Sequence, residues 1–144
     1  LEETPLVEEE KSKIWVVSGK FKDTKGAAPT YSSQLLLRGE LAKDGSVSIP
    51  ITTSFNALVY VLEGSMKTGG GQLLTKDMGV YHLDGESIEL QATADTRYIL
   101  LSGEPIGESV AQYGPFVMNN QTELMEAVRD AQIGKMGVLI EEFE

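Results

Sequence analysis

The chain has 144 residues, 41% of them hydrophobic, so it is long enough to build one domain around a sizeable apolar core. It contains no cysteine and no apolar run near the ~18 residues that a membrane span requires, which excludes disulfides, thiolate metal sites, thiol nucleophiles and a transmembrane helix. The net charge of −10 and the lack of a basic cluster argue against direct nucleic-acid binding by this chain alone.

The two ends of the chain carry much of the negative charge. The first ten residues hold five glutamates and the last four hold three, whereas residues 11–140 have 14 acidic and 12 basic residues. We therefore interpret residues 1–12 as an acidic linker or frayed start and residues 138–144 as an acidic tail, with one domain over residues 13–137. Because the chain opens on Leu1 rather than Met, we also expect a fragment or a processed chain.

Short β-type runs separated by turn residues occupy most of the domain. Asp-Gly pairs at 44–45 and 84–85 are strong hairpin signals, residues 22–29 are expected to form a loop, and the glycine run at 69–71 is expected to be a flexible loop tip. About eight or nine strands at this spacing predict an all-β double-sheet sandwich or barrel. The main runs cover residues 14–17, 33–41, 47–51, 57–62, 79–83, 87–91 and 97–101, of which 57–62 is the most continuously apolar and should be central.

One helix is predicted after the strands. Asn120 is placed to act as its N-cap, and Glu123 is placed to complete a capping box. Apolar residues recur at helical spacing over 124–131, which predicts one apolar face. Gly134 suits the left-handed conformation that ends many helices. The turn-rich residues 102–119 before the helix are expected to form a rigid connector, because they combine prolines that fix φ with permissive glycines.

Two blocks of sequence resemble the C-terminal domain of pirin-like proteins, which are two-domain cupins. The first is Phe-Asn-Ala-Leu-Val-Tyr-Val-Leu-Glu-Gly at 55–64. The second runs from Leu-Leu-Ser-Gly-Glu-Pro-Ile at 100–106 to Gly-Pro-Phe-Val-Met-Asn at 114–119. The resemblance extends over residues 14–137 and implies a cupin-type jelly-roll sandwich with one C-terminal α-helix. It also implies that the metal-binding residues belong to an N-terminal domain that is absent from this chain.

The resemblance lets the cupin metal motifs be placed on the sequence. The first motif reads Gly-(X)5-His-X-His-(X)3–4-Glu-(X)6-Gly. With its last glycine on Gly64, Ala57 takes the glutamate position and the histidine positions fall within residues 50–53 (Pro-Ile-Thr-Thr). The second motif, Pro-X-Gly-X-X-His, aligns on residues 83–85 and puts Ile88 at its histidine. None of these residues is a usual side-chain ligand, so we expect no metal or other cofactor in this chain and iron in the N-terminal domain.

Other residues that could carry chemistry are not in a suitable pattern. His82 has no identifiable catalytic partner and is expected to be a partly buried or rim histidine. Glu86 and Glu89 are three residues apart on a strand, which puts them on opposite faces and excludes an acid–base pair. The glycines at 69–71 lack the Lys-Ser/Thr and the helix of a phosphate loop. We expect the aromatic side chains to lie in the core or at its rim: Trp15, Phe55, Tyr60, Tyr81 and Tyr98.

These observations predict a non-catalytic, metal-free cupin domain of a pirin-like protein. It would pack against the metal-bearing N-terminal domain or a protein partner. For the full protein, the resemblance implies iron binding, transcriptional co-regulation, quercetin dioxygenase activity and a cytoplasmic or nuclear location. Since no catalytic residue can be assigned here, we expect no dioxygenase turnover from this chain alone.

Two alternatives stay open. In the first, the barrel interior makes the chain a small-molecule-binding or metal-independent enzymatic module, with Tyr60 and Tyr98 as candidate interior side chains. In the second, the chain is a structural domain that forms a homodimer. A partner or a second copy is expected to contact an apolar patch on the connector and helix, for which the candidates are Phe116, Val117, Met118, Leu124 and Val128.

Overall fold

The computed structural model of the chain describes residues 4–137. Over these residues the backbone forms fourteen short strands followed by one helix. They are β1 (Leu6–Glu9), β2 (Ser12–Ser18), β3 (Lys20–Phe21), β4 (Thr24–Lys25), β5 (Gln34–Leu41), β6 (Ser46–Pro50), β7 (Asn56–Glu63), β8 (Ser65–Thr68), β9 (Gly71–Leu74), β10 (Met78–Val80), β11 (Ser87–Ala92), β12 (Thr96–Gly103), β13 (Ala111–Tyr113), β14 (Phe116–Met118) and α1 (Gln121–Gln132).

Ten of the strands form two antiparallel sheets. The six-stranded sheet has the order β1-β2-β5-β12-β7-β10, and the four-stranded sheet has the order β6-β11-β8-β9. The other four strands pair as the small hairpins β3–β4 and β13–β14. The predicted all-β double-sheet sandwich with one helix after the last main strand is therefore confirmed, with β7 in the interior of its sheet as expected.

The two sheets share one apolar core. Strands β5 and β12 alternate buried residues with more exposed ones, as strands with one inward face do. The four-stranded sheet contributes every second residue of β6 and β11 in the same way. The core members in these sheets are Ile14, Val16, Leu35, Leu37, Leu41, Val47, Ile49, Ala57, Val59, Val61, Met66, Ile88, Leu90, Ala92, Tyr98 and Leu100.

The largest fully buried side chain is that of Tyr98 in β12. Its direct cross-strand partner in β5 is Gly39, and the phenol ring lies over that glycine. A Cβ atom built on residue 39 would stand only 2.1 Å from Cζ of the ring. Glycine is therefore required at position 39 by close packing, because any larger residue would displace the ring from the centre of the core.

Contacts divide the chain after Pro105 into two compact units. In the second unit, β13 and β14 form a hairpin that contacts α1. This hairpin corrects the prediction of a connector without strands over residues 102–119. The predicted N-cap is confirmed, since the side chain of Asn120 accepts a 3.0 Å hydrogen bond from the backbone N–H of Glu123. Gly134 has φ +77° directly after the C-cap, as predicted for a left-handed helix end.

Several short strands lie where the sequence predicted none. Residues 6–9 belong to the expected acidic linker, yet they form edge strand β1, whose Leu6 and Val7 pair with Trp15 and Ile14. Edge strands often carry charged residues, which discourage pairing with another chain. The acidic composition of this segment therefore did not distinguish an edge strand from a linker. The predicted acidic tail at 138–144 lies outside the described residues. Within those residues, no helix is long and apolar enough to cross a membrane.

We predict that Gly39→Ala lowers the free energy of unfolding by about 1–3 kcal/mol, because the added methyl group overpacks the core against Tyr98. Urea denaturation measures the loss. Gly70→Ala is the matched control, since a Cβ there meets no atom within 4 Å, and it should change stability by less than about 0.5 kcal/mol. Equal effects of the two substitutions would contradict the close packing.

The hydroxyl of Tyr98 generates a second prediction. It has no hydrogen-bond partner among the described residues, and burial raises the pKa of this phenol above its usual value. Tyr98→Phe should therefore stabilise the protein at pH 7 by about 1 kcal/mol, since it removes an unpaired buried hydroxyl. As the pH rises above the unfolded pKa of 10.0, the folded state holds this proton more tightly than the unfolded state, so the free energy of unfolding must fall.

Urea denaturation between neutral and strongly alkaline pH tests both parts. The Tyr98→Phe variant should lose less stability above pH 10 than the parent protein. Tyr31→Phe, which changes a fully exposed tyrosine, should leave the pH profile unaltered. A parent protein and a Tyr98→Phe variant with the same alkaline profile would show that Tyr98 does not resist ionisation.

Candidate functional site

A cavity of about 530 Å³ opens in the first unit of the chain. We call it the end cavity. Its walls come from the loop that precedes β7, the turn between β8 and β9, and the segment that joins β10 to β11. Its volume lies within the range of small-molecule binding sites, and several apolar side chains line it, including Ile51, Phe55, Leu73 and Ile88.

The end cavity brings the cupin ligand positions together. Ile51, Thr53, Ala57 and Ile88, which are separated in sequence, all line it. Residues 50 and 52 do not line it. Strand β6 ends at residue 50, and residues 52–55 form a turn closed by a hydrogen bond from the N–H of Phe55 to the carbonyl of Thr52. The structure therefore places the two histidine positions of the first motif at 51 and 53, the glutamate position at 57 and the second-motif histidine position at 88.

The residues at these positions do not fit a metal ion. Two isoleucines and an alanine offer no donor atom, and a single threonine hydroxyl is a weak ligand for iron. Among residues 4–137, no three His, Cys, Asp or Glu side chains group in a way that could hold a metal. The side chains at the cupin centre thus form an apolar wall.

Glu89 and Glu86 lie near the end cavity and make different kinds of hydrogen bond. The carboxylate of Glu89 accepts hydrogen bonds from the hydroxyls of Ser48 and Ser87, the latter at 3.1 Å. Glu86 precedes β11, and its carbonyl oxygen accepts a 2.8 Å hydrogen bond from the N–H of Ile51. The prediction placed both residues on one strand, but β11 begins at Ser87, so only Glu89 is a strand residue. His82 lies beyond the end of β10, is exposed, and borders the cavity.

The most organised polar feature of the end cavity is a pair of hydroxyl groups. Tyr81 and Thr68 both line the cavity, and their hydroxyl oxygens are 2.7 Å apart. The backbone N–H of Tyr81 donates to the carbonyl of Ala57, so the residue is held at both ends. Burial raises the pKa of the Tyr81 phenol above its usual value. Sequence reasoning treated Tyr81 only as a core or rim aromatic.

A second feature is the outward side of the six-stranded sheet, which we call the outer face. One row of cross-strand neighbours consists of Leu36, Leu101, Leu58 and Val80. The next row along the strands consists of Trp15, Arg38, Ile99, Tyr60 and Met78. Arg38 lies 4.8 Å above the Trp15 ring in a cation–π contact, so even the one charge in these rows has an aromatic partner.

Charged residues border the apolar rows of the outer face. The third row along the strands reads Lys13, Glu40, Arg97 and Glu63. Arg97 donates from Nε to the Glu63 carboxylate over 2.8 Å, and this hydrogen bond raises the pKa of Arg97. The outer face is therefore an apolar surface with a charged boundary on one side, which is the arrangement of many protein interfaces.

The two candidate interior tyrosines occupy different faces. Tyr98 is fully buried between the sheets, but it borders none of the cavities. Tyr60 belongs to the outer face, because it alternates along β7 with the buried residues Val59 and Val61. The prediction of Tyr60 as an interior side chain is therefore wrong. Successive side chains of a strand point to opposite faces, so inward-facing neighbours at 59 and 61 require Tyr60 to face outward.

The candidate interface residues in the second unit also differ among themselves. Leu124 is only 2% exposed, so it cannot contribute to an exposed patch, whereas Val117 is 57% exposed. Phe116, Met118 and Val128 are half-buried. Sequence reasoning chose Leu124 from the apolar periodicity of the helix, which marks a buried face equally well.

Comparison with known proteins assigns the family. Residues 36–137 match the sequence profile of the pirin C-terminal cupin domain. The chain is 33% identical over 141 residues to a pirin-like protein of Arabidopsis thaliana, covering 90% of this chain and 46% of that protein. It is 30% identical over 142 residues to a pirin-like protein of Solanum lycopersicum, covering 94% of this chain and 48% of that protein.

A solved structure extends the comparison to the fold. The crystal structure of quercetin 2,3-dioxygenase from Acinetobacter baumannii matches with a TM-score of 0.88 and 33% identity, over 96% of this chain and 49% of that chain. The chain thus spans about half the length of the relatives it matches. Its two-sheet sandwich, the profile match and these relatives agree with the resemblance seen in the sequence, and the chain belongs to the pirin family as a pirin C-terminal cupin domain.

Proposed function

We propose that this chain is the metal-free, non-catalytic half of a two-domain pirin-like protein. In this proposal its role is to bind the metal-bearing N-terminal cupin domain through the outer face. The proposal has two parts, the absence of a metal centre and the docking surface, and each is supported by different residues. Any iron binding or dioxygenase chemistry would then belong to the N-terminal domain.

The observation that carries the first part is the composition of the cupin centre. Its four ligand positions hold Ile51, Thr53, Ala57 and Ile88, which together offer one hydroxyl oxygen. Stable metal sites in proteins need several nitrogen, sulfur or carboxylate donors. Because Ala57 and Ile88 are themselves almost fully buried, they contribute to packing in place of coordination.

The second part is supported by apolar exposure on the outer face. Leu101 is 42% exposed, Met78 58% and Val80 69%, and cross-strand pairing joins them to further apolar residues in two adjacent rows. Contiguous apolar surface of this kind on a sheet usually marks an interface. A groove of about 420 Å³ beside Leu36, Leu58 and Leu101 adds a concave feature to that face.

The length of the relatives supports this choice of occupant. Since this chain matches about half of each relative, the remaining half of those proteins is long enough for a second domain of similar size. The charged row of Glu40, Arg97 and Glu63 would sit at the rim of the contact, where polar groups set orientation more than affinity. A cupin domain with a complementary apolar sheet face is the partner that fits.

The metal part predicts that the protein binds no stoichiometric iron, zinc or copper. Elemental analysis after incubation with each ion and desalting measures it. A designed variant supplies the positive control: Ile51→His, Thr53→His, Ala57→Glu and Ile88→His together rebuild the donor set at the positions that share the cavity. That variant should gain one tightly bound equivalent of Co²⁺ or Ni²⁺, seen in its visible absorption spectrum.

A matched variant keeps the same donors but moves the two histidines to Pro50 and Thr52, which do not line the cavity. It should bind the metal far more weakly than the first design. One tightly held metal ion in the unmodified chain, or equal binding by the two designs, would contradict the assignment of the ligand positions.

The docking part predicts that a charge on the outer face weakens binding of the N-terminal cupin domain. Leu101→Lys and Met78→Lys each replace an exposed apolar side chain with a cation, and each should weaken the association by roughly tenfold or more because the charge must lose its hydration in the contact. Calorimetric titration of this chain with a separately expressed N-terminal domain of the same protein measures the dissociation constant.

Leu74→Lys is the matched control for these substitutions. Leu74 is 54% exposed but belongs to β9 in the four-stranded sheet. It should leave the dissociation constant unchanged. If Leu74→Lys weakens the association as much as Leu101→Lys does, the outer face is not the docking surface.

A further inference from the structure

The proposed function gives the end cavity no role. In the docking role proposed above, nothing requires a cavity of about 530 Å³ in this domain. Cavities of this size with apolar walls and a few polar groups are the usual form of small-molecule sites. Ala57 occupies the position at which the cupin motif has a glutamate, and its small side chain leaves part of the cavity open.

The charges around the cavity restrict the class of ligand. Asp84 and His82 line it, whereas no lysine or arginine does. The carboxylate of Glu89 lies on the opposite face of β11 from Ile88. An anionic ligand would therefore meet the carboxylate of Asp84 without a lysine or arginine to compensate it. A full positive charge would also lose its hydration against Ile51, Phe55 and Ile88. An uncharged ligand fits these surroundings.

The hydroxyl pair supplies the polar contact. Thr68 and Tyr81 use one hydroxyl hydrogen for the 2.7 Å bond between them, which leaves the other hydrogen free to donate and both oxygens able to accept. A single hydroxyl or carbonyl group on a ligand can therefore be satisfied there. Since Tyr81 is held by Ala57 through its backbone, the pair is fixed in position before a ligand enters.

The walls favour a flat ligand. The rings of Phe55 and Tyr81 offer aromatic surfaces. Glycines at 69–71, together with Gly79 and Gly85, line the rest of the cavity with backbone that carries no side chain. Aromatic side chains bind planar rings by offset stacking or edge contacts, which adds to the gain from burying apolar area.

We infer that the end cavity is a binding site for a small, uncharged, planar apolar molecule whose single hydroxyl or carbonyl group hydrogen-bonds to the Tyr81–Thr68 hydroxyl pair. The ligand occupies the position at which other cupins hold a metal ion. Binding there does not depend on a metal or on the outer face, so it stands apart from the proposed docking role.

The probe for this site is 2-naphthol, which is planar and uncharged at neutral pH and carries one hydroxyl. Calorimetric titration of the full chain should give a dissociation constant on the order of 100 μM or tighter. The anion 2-naphthoate, which has the same ring system, should bind at least about tenfold more weakly, because Asp84 repels it and its carboxylate must lose hydration against the apolar walls. Failure of 2-naphthol to bind at millimolar concentration, or equal binding of the anion, would overturn the inference.

Substitutions locate the probe. Tyr81→Phe should weaken 2-naphthol binding about fivefold, the value of one lost hydrogen bond. Thr68→Val tests the same pair from its other side, so a failure of one variant to fold leaves the other informative. Tyr31→Phe, far more exposed, is the control and should bind normally. Unchanged affinity in every folded variant of the pair would overturn the proposed contact.

A bulky residue at the entrance gives a second test. Thr53 is exposed and lines the cavity, so Thr53→Trp should abolish detectable binding without disturbing the core. Its neighbour Ser54 is also exposed but does not line the cavity, and Ser54→Trp should bind as the parent does. In NMR spectra, 2-naphthol should shift the amide signals of glycines 69–71. Shifts confined to Leu101 and Met78 would place the probe on the outer face and overturn the inference.

Discussion

Strands β7 and β12 carry apolar side chains on both sides of one sheet, and the sandwich can bury only one of those sides. Val59, Val61 and Leu100 face the core, whereas Leu58 and Leu101 face outward. Strands buried on both faces have continuous apolar runs, in contrast to the alternating pattern of a half-exposed strand. The outward side of these strands is therefore apolar surface that the sandwich itself does not cover, and it is the surface to which the proposed docking role applies.

The inner face of the same sheet is constrained by the size of its side chains. Tyr98 fills the centre of the core only because Gly39 opposite it has no side chain. At the end of the sandwich Ala57, near the start of β7, and several glycines leave space that the end cavity occupies. One sheet thus combines a tightly packed middle with an open end, and the open end coincides with the cupin metal position.

The sequence predicted the family and the double-sheet fold, because these depend on local motifs and on the spacing of apolar and turn residues. It did not predict which of residues 50–53 face the cavity, since the motif allows two spacings and only the direction of each side chain separates them. It also missed the outer face. Periodicity shows that residues 57–62 are apolar throughout, but cross-strand neighbours such as Leu58 and Val80 become visible only when the register is known.

The end cavity and the outer face meet at one short segment of the chain. Val80 and Tyr81 border both the cavity and the groove on the outer face, because β10 is the edge strand that separates them. Tyr81 directly follows this three-residue strand, which pairs with β7 alone in the sheet. Its backbone N–H donates to the carbonyl of Ala57, and its hydroxyl is 2.7 Å from that of Thr68. These contacts extend the support of the segment beyond the strand, so the wall of the end cavity and the groove on the outer face depend on the same short stretch of backbone.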